Sequence, residues 1–287
     1  MLEIRNKELK KLSHIKLIFS DVDHTLITDD LQVLPNVVKA VKTFVNKRGY
    51  FVLASARPPL GLINISNKIQ VSSLLVCLGG ALIIKANKNN DNFKTIFNDP
   101  LSHLVLSAIL KIINLFKFNM SINVYYDDDW FITQENSWIK KEEKAVNILP
   151  TRIKNFKVLI KQNIPIYKIL CMGPSTEIIR LKTKLKNKPF LNVNCSTSNP
   201  NYLEIVNKSV SKSNALKIIS KKLSIPINQT LAIGDSENDL PMIENAGVGV
   251  AMRNAPLNVK KKAKWVVKDN NEGGIAQTIN FLFHSSP

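Results

Sequence analysis

The sequence predicts an α/β protein: a mostly parallel sheet flanked by helices, interrupted by an α+β insertion. Three observations predict it. Short apolar runs stop at polar residues, as buried parallel strands do at their carboxyl ends. Those runs alternate with stretches of helical periodicity. In the middle of the chain the alternation gives way to hairpin signals.

Residues 15–20 (IKLIFS) read as the first strand, ending at Asp21. Pro35 opens a helix, with Val37, Val38, Val41, Phe44 and Val45 at helical spacing and Gly49 just beyond. Residues 50–54 form a second strand, which runs into Ser55-Ala56-Arg57. Another helix follows, then a strand at 74–78 and the Gly79-Gly80 turn. Residues 87–92 are polar and turn-like. Residues 101–118 are amphipathic. An alternating segment, 121–126, meets 130–133 across the acidic turn Asp127-Asp128-Asp129, which predicts a hairpin. Residues 167–172 read as a strand and 176–185 as a helix. Strands at 192–195 and 202–205 flank the turn Ser198-Asn199-Pro200-Asn201. The first pattern then resumes, with a helix at 213–223, a strand at 230–234 and a helix at 240–246. Strands at 248–252 and 265–267 and a closing helix at 275–283 complete it.

Hydrophobic residues make up 45% of the 287 and charged residues 22%, too apolar a chain for disorder and long enough to bury a core. Cys77, Cys171 and Cys195 are scattered with no CxxC pair. That argues against a disulfide framework or a cysteine zinc site and fits a reducing, cytoplasmic setting. The most apolar stretch, 101–120, is interrupted by Ser102, His103, Lys111, Asn114 and Lys117, so no membrane span is expected. The first fourteen residues carry Glu3 and Glu8 among their bases and do not read as a secretory signal.

The net charge of +18 raises the question of a nucleic-acid partner. Against it, Lys far outnumbers Arg, and base-reading or bidentate phosphate-binding surfaces lean on Arg. The short runs Lys221-Lys222 and Lys260-Lys261-Lys262 read as solvated faces.

Four polar clusters fall at strand ends or at a helix start, where ligands bind in open α/β sheets. Asp21-Val22-Asp23-His24-Thr25 presents two carboxylates two residues apart, on one side of a strand end. Such a pair needs a cation or a shared proton. Ser55-Ala56-Arg57 offers a hydroxyl and backbone amides. Lys212 stands at a helix start, where both the ammonium and the helix terminus favour an anion. The turn Gly234-Asp235-Ser236-Glu237-Asn238-Asp239 adds oxygen ligands that suit Mg²⁺ and not zinc.

In this order the segments DVDHT, SAR, Lys212 in SVSKSNAL, and GDSENDLPMIENAGVGVAM resemble the four motifs of the haloacid dehalogenase-like hydrolases. The stretch YLEIVNKSVSKSNAL through AIGDSENDLPMIENAGVGVAMRNA is similar to their Cof-type phosphatases. The resemblance implies a Rossmann-like parallel core, residues 1–83 and 206–287, with an α+β cap domain, 84–205, inserted between the second and third motifs. It implies a Mg²⁺-dependent phosphatase of small phosphorylated metabolites, sugar phosphates foremost, working through an aspartyl-phosphate. Asp21 would be the nucleophile and Asp23 the general acid and base, its pKa raised by burial or by Asp21. Asp21, Asp23 (through its backbone carbonyl) and Asp235 would hold the metal. Ser55, the amides of Val22 and Ala56, Lys212 and Asn238 would hold the phosphate. Asp239 would orient Lys212 or a metal-bound water. Arg57 would brace its loop. The family more often has Gly at His24, Thr-Gly at Ser55-Ala56 and Asn-Gly at Gly79-Gly80. The alternatives weighed are a phosphomutase on a hexose phosphate and a basic nucleic-acid-binding protein. His14, His103 and His284 lack metal spacing, and Trp130 and Trp138 read as core or rim of the insert.

Overall fold

The computed structural model describes residues 14–70, 74–86, 92–146 and 148–284. Two sheets organise them. The larger has eight strands. Its parallel part comprises β1 (Leu17–Ser20), β2 (Tyr50–Ala54), β3 (Leu74–Cys77), β12 (Thr230–Gly234), β13 (Val248–Met252) and β14 (Trp265–Val267). The strand order is β14-β13-β12-β1-β2-β3, extended at the β3 edge by β4 (Leu82–Ala86) and β5 (Phe93–Asn98), both antiparallel. Because helices cover both faces, β1, β12 and β13 are buried at every residue. This is why they appear in sequence as unbroken apolar runs.

Helix α1 (Pro35–Asn46) starts with proline at its first turn and buries Val37, Ala40, Val41 and Phe44, the face its spacing predicts. Helix α2 (Pro59–Ile69) follows β2. The later helices of this part are α7 (Lys212–Lys222), α8 (Leu240–Asn245), α9 (Leu257–Lys262) and α10 (Gly274–His284). The two lysine runs fall in the last turns of α7 and α9. Positive charge there meets the negative end of the helix dipole, which fits the solvated-face reading.

The second sheet has six strands in the order β10-β11-β9-β6-β7-β8. They are β6 (Ser121–Tyr126), β7 (Asp129–Ile132), β8 (Thr151–Arg152), β9 (Lys168–Met172), β10 (Val193–Asn199) and β11 (Tyr202–Asn207). The expected hairpin is present: β6 and β7 pair antiparallel about the acidic turn. Pleating sorts the residues by face. Val124, Ile169, Cys171, Leu203 and Ile205 pack with helices α3 (His103–Leu115) and α6 (Ser175–Lys186) in one hydrophobic cluster. Tyr125, Leu170, Met172, Tyr202 and Val206 belong to a different cluster, one that continues into Leu62, Leu78 and Leu82 of the larger sheet's layer. Helix α4 (Ser137–Val146) adds Ile139 and Val146 to that cluster; helix α5 (Lys157–Lys161) lies between β8 and β9.

The structure corrects the sequence-based map in two respects. The expected insert boundary at residue 84 falls inside β4, and both β4 and β5 pair within the larger sheet. The chain leaves that sheet only after Asn98, passes through the six-stranded sheet until Asn207 and re-enters the larger sheet at β12. A β-hairpin added to a sheet edge looks the same in sequence as one inside an insert, so composition could not place the border. Helices α4, α5 and α9 also went unanticipated; they are 10, 5 and 6 residues long, the last two too short to show periodicity. The polar turn at 87–91 and the segment 1–13 lie outside the described residues.

Candidate active site

Asp21 follows β1, and its amide donates to the Ile233 carbonyl of β12 at 2.9 Å, so it is fixed between the two central strands. Asp235 leaves the end of β12 beside it. Ser55 follows β2, and its amide donates to Val76 of β3. Three neighbouring strands thus bring their carboxyl-end residues to one place, which is where the topology puts a ligand.

Lys212 enters from the first turn of α7, whose start is capped by Ser211 accepting from the Asn214 amide at 3.0 Å. The Lys212 Nζ donates to Asp21 Oδ1 at 2.5 Å and to Asp239 Oδ1 at 2.7 Å. Asp239 is fully buried, and its other oxygen accepts from the Asp235 amide and from the Ser236 amide and hydroxyl. Asp239 thus bridges the Lys212 ammonium and the backbone of the acidic turn. The approach is possible because position 234 is glycine: a Cβ there would lie 2.5 Å from Asp239 side-chain carbons. Thr25 donates to Asp235 Oδ1 at 2.7 Å, a partner the sequence reading did not single out although it lies within the first motif.

Asp23 lies apart from the Lys212 cluster. Its carboxylate is gripped by Arg57, with Nη2 2.7 Å from Oδ1 and Nε 3.1 Å from Oδ2, and accepts from Ser55 Oγ at 3.3 Å. Arg57 therefore does more than brace its loop. Val22 is buried directly after Asp21, and Ala56 directly follows Ser55. Asn238 sits half-buried on the acidic turn, outside the hydrogen-bonded cluster. His24 adopts φ 57°, a left-handed conformation that glycine takes without strain and histidine only at a cost.

The electrostatics divide the acids. Burial, reinforced by Asp239, Asp235 and Asp23, pushes the Asp21 carboxyl well up, and Lys212 offsets this only in part. Asp235 is likewise raised, mainly by burial, against the Thr25 hydrogen bond. The Lys212 ammonium is held above its usual range: burial opposes its charge, but Asp21 and Asp239 outweigh it. Asp23 runs against expectation. Burial would raise it, but the Arg57 hydrogen bonds and charge, with Lys212 and Ser55, bring it below the usual carboxylate range. The expected raised pKa is not found, because the sequence could not show which cation would stand beside it.

Asp21, Asp235 and Asp239 place carboxylate oxygens within 4.8 Å of one another. Three carboxylates face one ammonium there, leaving a deficit of two positive charges in a buried place. Both Asp239 oxygens are already engaged, which leaves Asp21 and Asp235 as available donors. Hard oxygen donors with that charge deficit fit a divalent cation such as Mg²⁺.

A parallel sheet with an acid after its first strand, a hydroxyl after its second and a lysine-anchored acidic turn after β12 defines a hydrolase of phosphoryl-transfer type. The comparisons agree. A family model described as haloacid dehalogenase-like hydrolase matches residues 18–279. A Haemophilus influenzae protein named "Putative phosphatase" is 32% identical over 269 residues, covering 93% of this chain and 98% of that one. The Bacillus subtilis 5-amino-6-(5-phospho-D-ribitylamino)uracil phosphatase YcsE is 28% identical over 265 residues, 92% of this chain and 94% of its own. A Bacteroides thetaiotaomicron haloacid dehalogenase-like hydrolase superposes with a TM-score of 0.81 at 25% identity, covering 93% of this chain and 98% of that one. The chain belongs to the haloacid dehalogenase-like hydrolase family. It is an enzyme of the phosphatase kind. Among the described residues no helix is long and apolar enough to cross a membrane.

Proposed function

We propose that this protein is a Mg²⁺-dependent phosphatase that hydrolyses small organic phosphate esters, sugar phosphates foremost, through an aspartyl-phosphate on Asp21, in the cytoplasm. The observation that carries the reading is the ion pair between Lys212 and Asp21, anchored by Asp239 and set beside Asp235. Lys212 orients Asp21 and favours its ionised form, leaving the second carboxylate oxygen to attack phosphorus in line. As the Asp21–phosphorus bond forms, the bond to the leaving oxygen breaks, and Asp23 gives that oxygen a proton. In the second half Asp23 takes a proton from water as the water oxygen attacks phosphorus and releases Asp21. A divalent cation held by Asp21, Asp235 and the Asp23 carbonyl supplies charge neutralisation between two approaching anions.

For Asp23 to carry a proton its carboxyl must loosen from Arg57. The substrate phosphate, itself an anion, competes for that guanidinium. Ser55 and the amides of Val22 and Ala56 take phosphate oxygens, with Lys212 and Asn238 beside them. The YcsE relative supports the ester class, since its name gives a phosphorylated ribityl chain as substrate. The insert acts as a cap over the leaving group. Phosphate release from a panel of small esters, with Mg²⁺ and with excess chelator, tests the reading. Asp21→Asn should lower turnover by ~10³-fold or more, because the carboxamide keeps the shape and loses the nucleophile. Undiminished release in chelator, or by the variant, would overturn it.

A further inference from the structure

One face of the six-stranded sheet belongs to the cluster it shares with the larger sheet's layer, and the other packs under α3 and α6. On that outer side the two helices leave a groove of about 540 Å³ between them. Its apolar lining is Ala108, Ile112 and Leu115 of α3 and Phe116 directly after it. Its charged lining is cationic throughout: Lys111 of α3, Lys184 of α6 and Lys188 just beyond α6.

Both linings lack a cover. Leu115 is 75% exposed and Phe116 41%. Large apolar side chains scattered singly need no explanation, but two that line one groove do. Lys184 Nζ lies 3.4 Å from the centre of the Phe116 ring, so the ring face holds a positive charge directly over the apolar surface. Among the described residues no carboxylate pairs with Lys111 or Lys184. Helix α3 has no acidic residue, and the one acid of α6, Glu177, is taken by Arg180 at 2.5 Å.

The occupant must therefore be apolar in one part and anionic in another. The chain itself supplies none of the right charge. A second copy would bring a net charge of +18, and residues 1–13 hold four basic residues against two acidic ones. The groove is also small. From Ala108 to Phe116 it runs about 12 Å at the helical rise, short for a stable protein partner, which covers ~800 Å² on each side. Its volume falls in the ~300–1,000 Å³ range of small-molecule sites.

We propose that the groove between α3 and α6 binds a single-chain amphiphile with an anionic head. The alkyl chain lies on Ile112, Leu115 and Phe116, and the carboxylate or phosphate head meets Lys111, Lys184 and Lys188. The site is on the opposite side of the inserted sheet from Asp21 and does not depend on the phosphatase reading.

The test is calorimetric titration of the full-length protein with decanoate, decanol and decyltrimethylammonium, each below its micellar concentration. Decanoate should saturate one site and bind at least ~10-fold more tightly than the alcohol or the cation. Decyl phosphate should compete with it, and acetate should not. Lys184→Glu and Leu115→Asp should each weaken decanoate ~10-fold or more, the first through the head and the second through the chain. Both side chains lie at the surface, and circular dichroism checks that the variants keep the fold. Equal affinities for the three decyl probes, or binding unchanged in both variants, would mean non-specific adsorption and would overturn the site. So would the absence of saturable decanoate binding, including the case in which the protein attaches to phosphatidylglycerol vesicles instead, which would give this face to a bilayer surface.

Discussion

Asp23 is gripped at both carboxylate oxygens by Arg57, so the group expected to be poised as an acid is instead held as an anion. The direction follows from competition: burial favours the neutral form, but a bidentate guanidinium and the Lys212 charge favour the ionised one. If Asp23 must be protonated to assist the leaving oxygen, activity falls as pH rises past its pKa. Arg57→Gln removes the main influence lowering that pKa. The falling limb of kcat/KM against pH should therefore move to higher pH, most visibly on alkyl esters, whose leaving oxygens need the proton. An unmoved limb would mean that Arg57 does not govern Asp23 in the working enzyme. His24 illustrates the same scale from the backbone side: it keeps a conformation suited to glycine and pairs with Asp29 at 3.1 Å.

At the level of elements, the Gly79-Gly80 turn between β3 and β4 packs closely against the start of α7. Gly80 has φ +108°, and a Cβ there would lie 2.7 Å from the Ser211 carbonyl oxygen, one residue before Lys212. Gly80→Ala is thus strained in its own conformation and pushes on the cap of α7. We expect a loss of ~1–3 kcal/mol in denaturant unfolding and a drop in kcat larger than in KM, because Lys212 is displaced. A fully stable and active variant would show that the loop gives way freely. The two strands joining the sheets are also tied together, since Asp99 accepts from Asn207 at 2.8 Å and from the Ser209 hydroxyl. The ends of the insert are therefore close, as an excisable element requires.

For the whole molecule, that closeness and the corrected border make excision a defined experiment. Replacing residues 101–206 with a short Gly/Ser linker keeps all eight strands of the larger sheet, whereas a cut beginning at 84 removes its β4–β5 edge. The first product should fold and hydrolyse p-nitrophenyl phosphate weakly while losing discrimination among esters. Retention of the full rank order of substrates would place specificity in the motif loops instead. The buried acids set a second global property. Asp21 and Asp235 have raised pKa values, so the folded state binds more protons than the unfolded state between the ordinary carboxylate range and those raised values. Stability without metal should accordingly fall as pH rises from about 5 toward 8. Mg²⁺ at ~100 times its Kd should restore ~2.7 kcal/mol at the upper end. Thermal melts at both pH values, in chelator and in Mg²⁺, check the sign; equal metal-free stability at the two would refute it.

The sequence by itself determined the parallel core and the positions of the candidate site residues. Asp21, Ser55, Lys212 and Asp235 each sit within a residue or two of a strand end or helix start, so local pattern placed them. Only the tertiary structure decided their partners. The Arg57–Asp23 grip spans 34 residues, the Lys168–Ala56 contact 112 and the Lys212–Asp21 pair 191. The same holds for the groove between α3 and α6, whose lysines and apolar lining meet only once both helices pack on the six-stranded sheet. Backbone preference and hydrophobic period act over a few residues and leave their mark in sequence. Charge partnership and sheet-edge membership depend on which distant segments pack together, and they become visible only when the chain has folded.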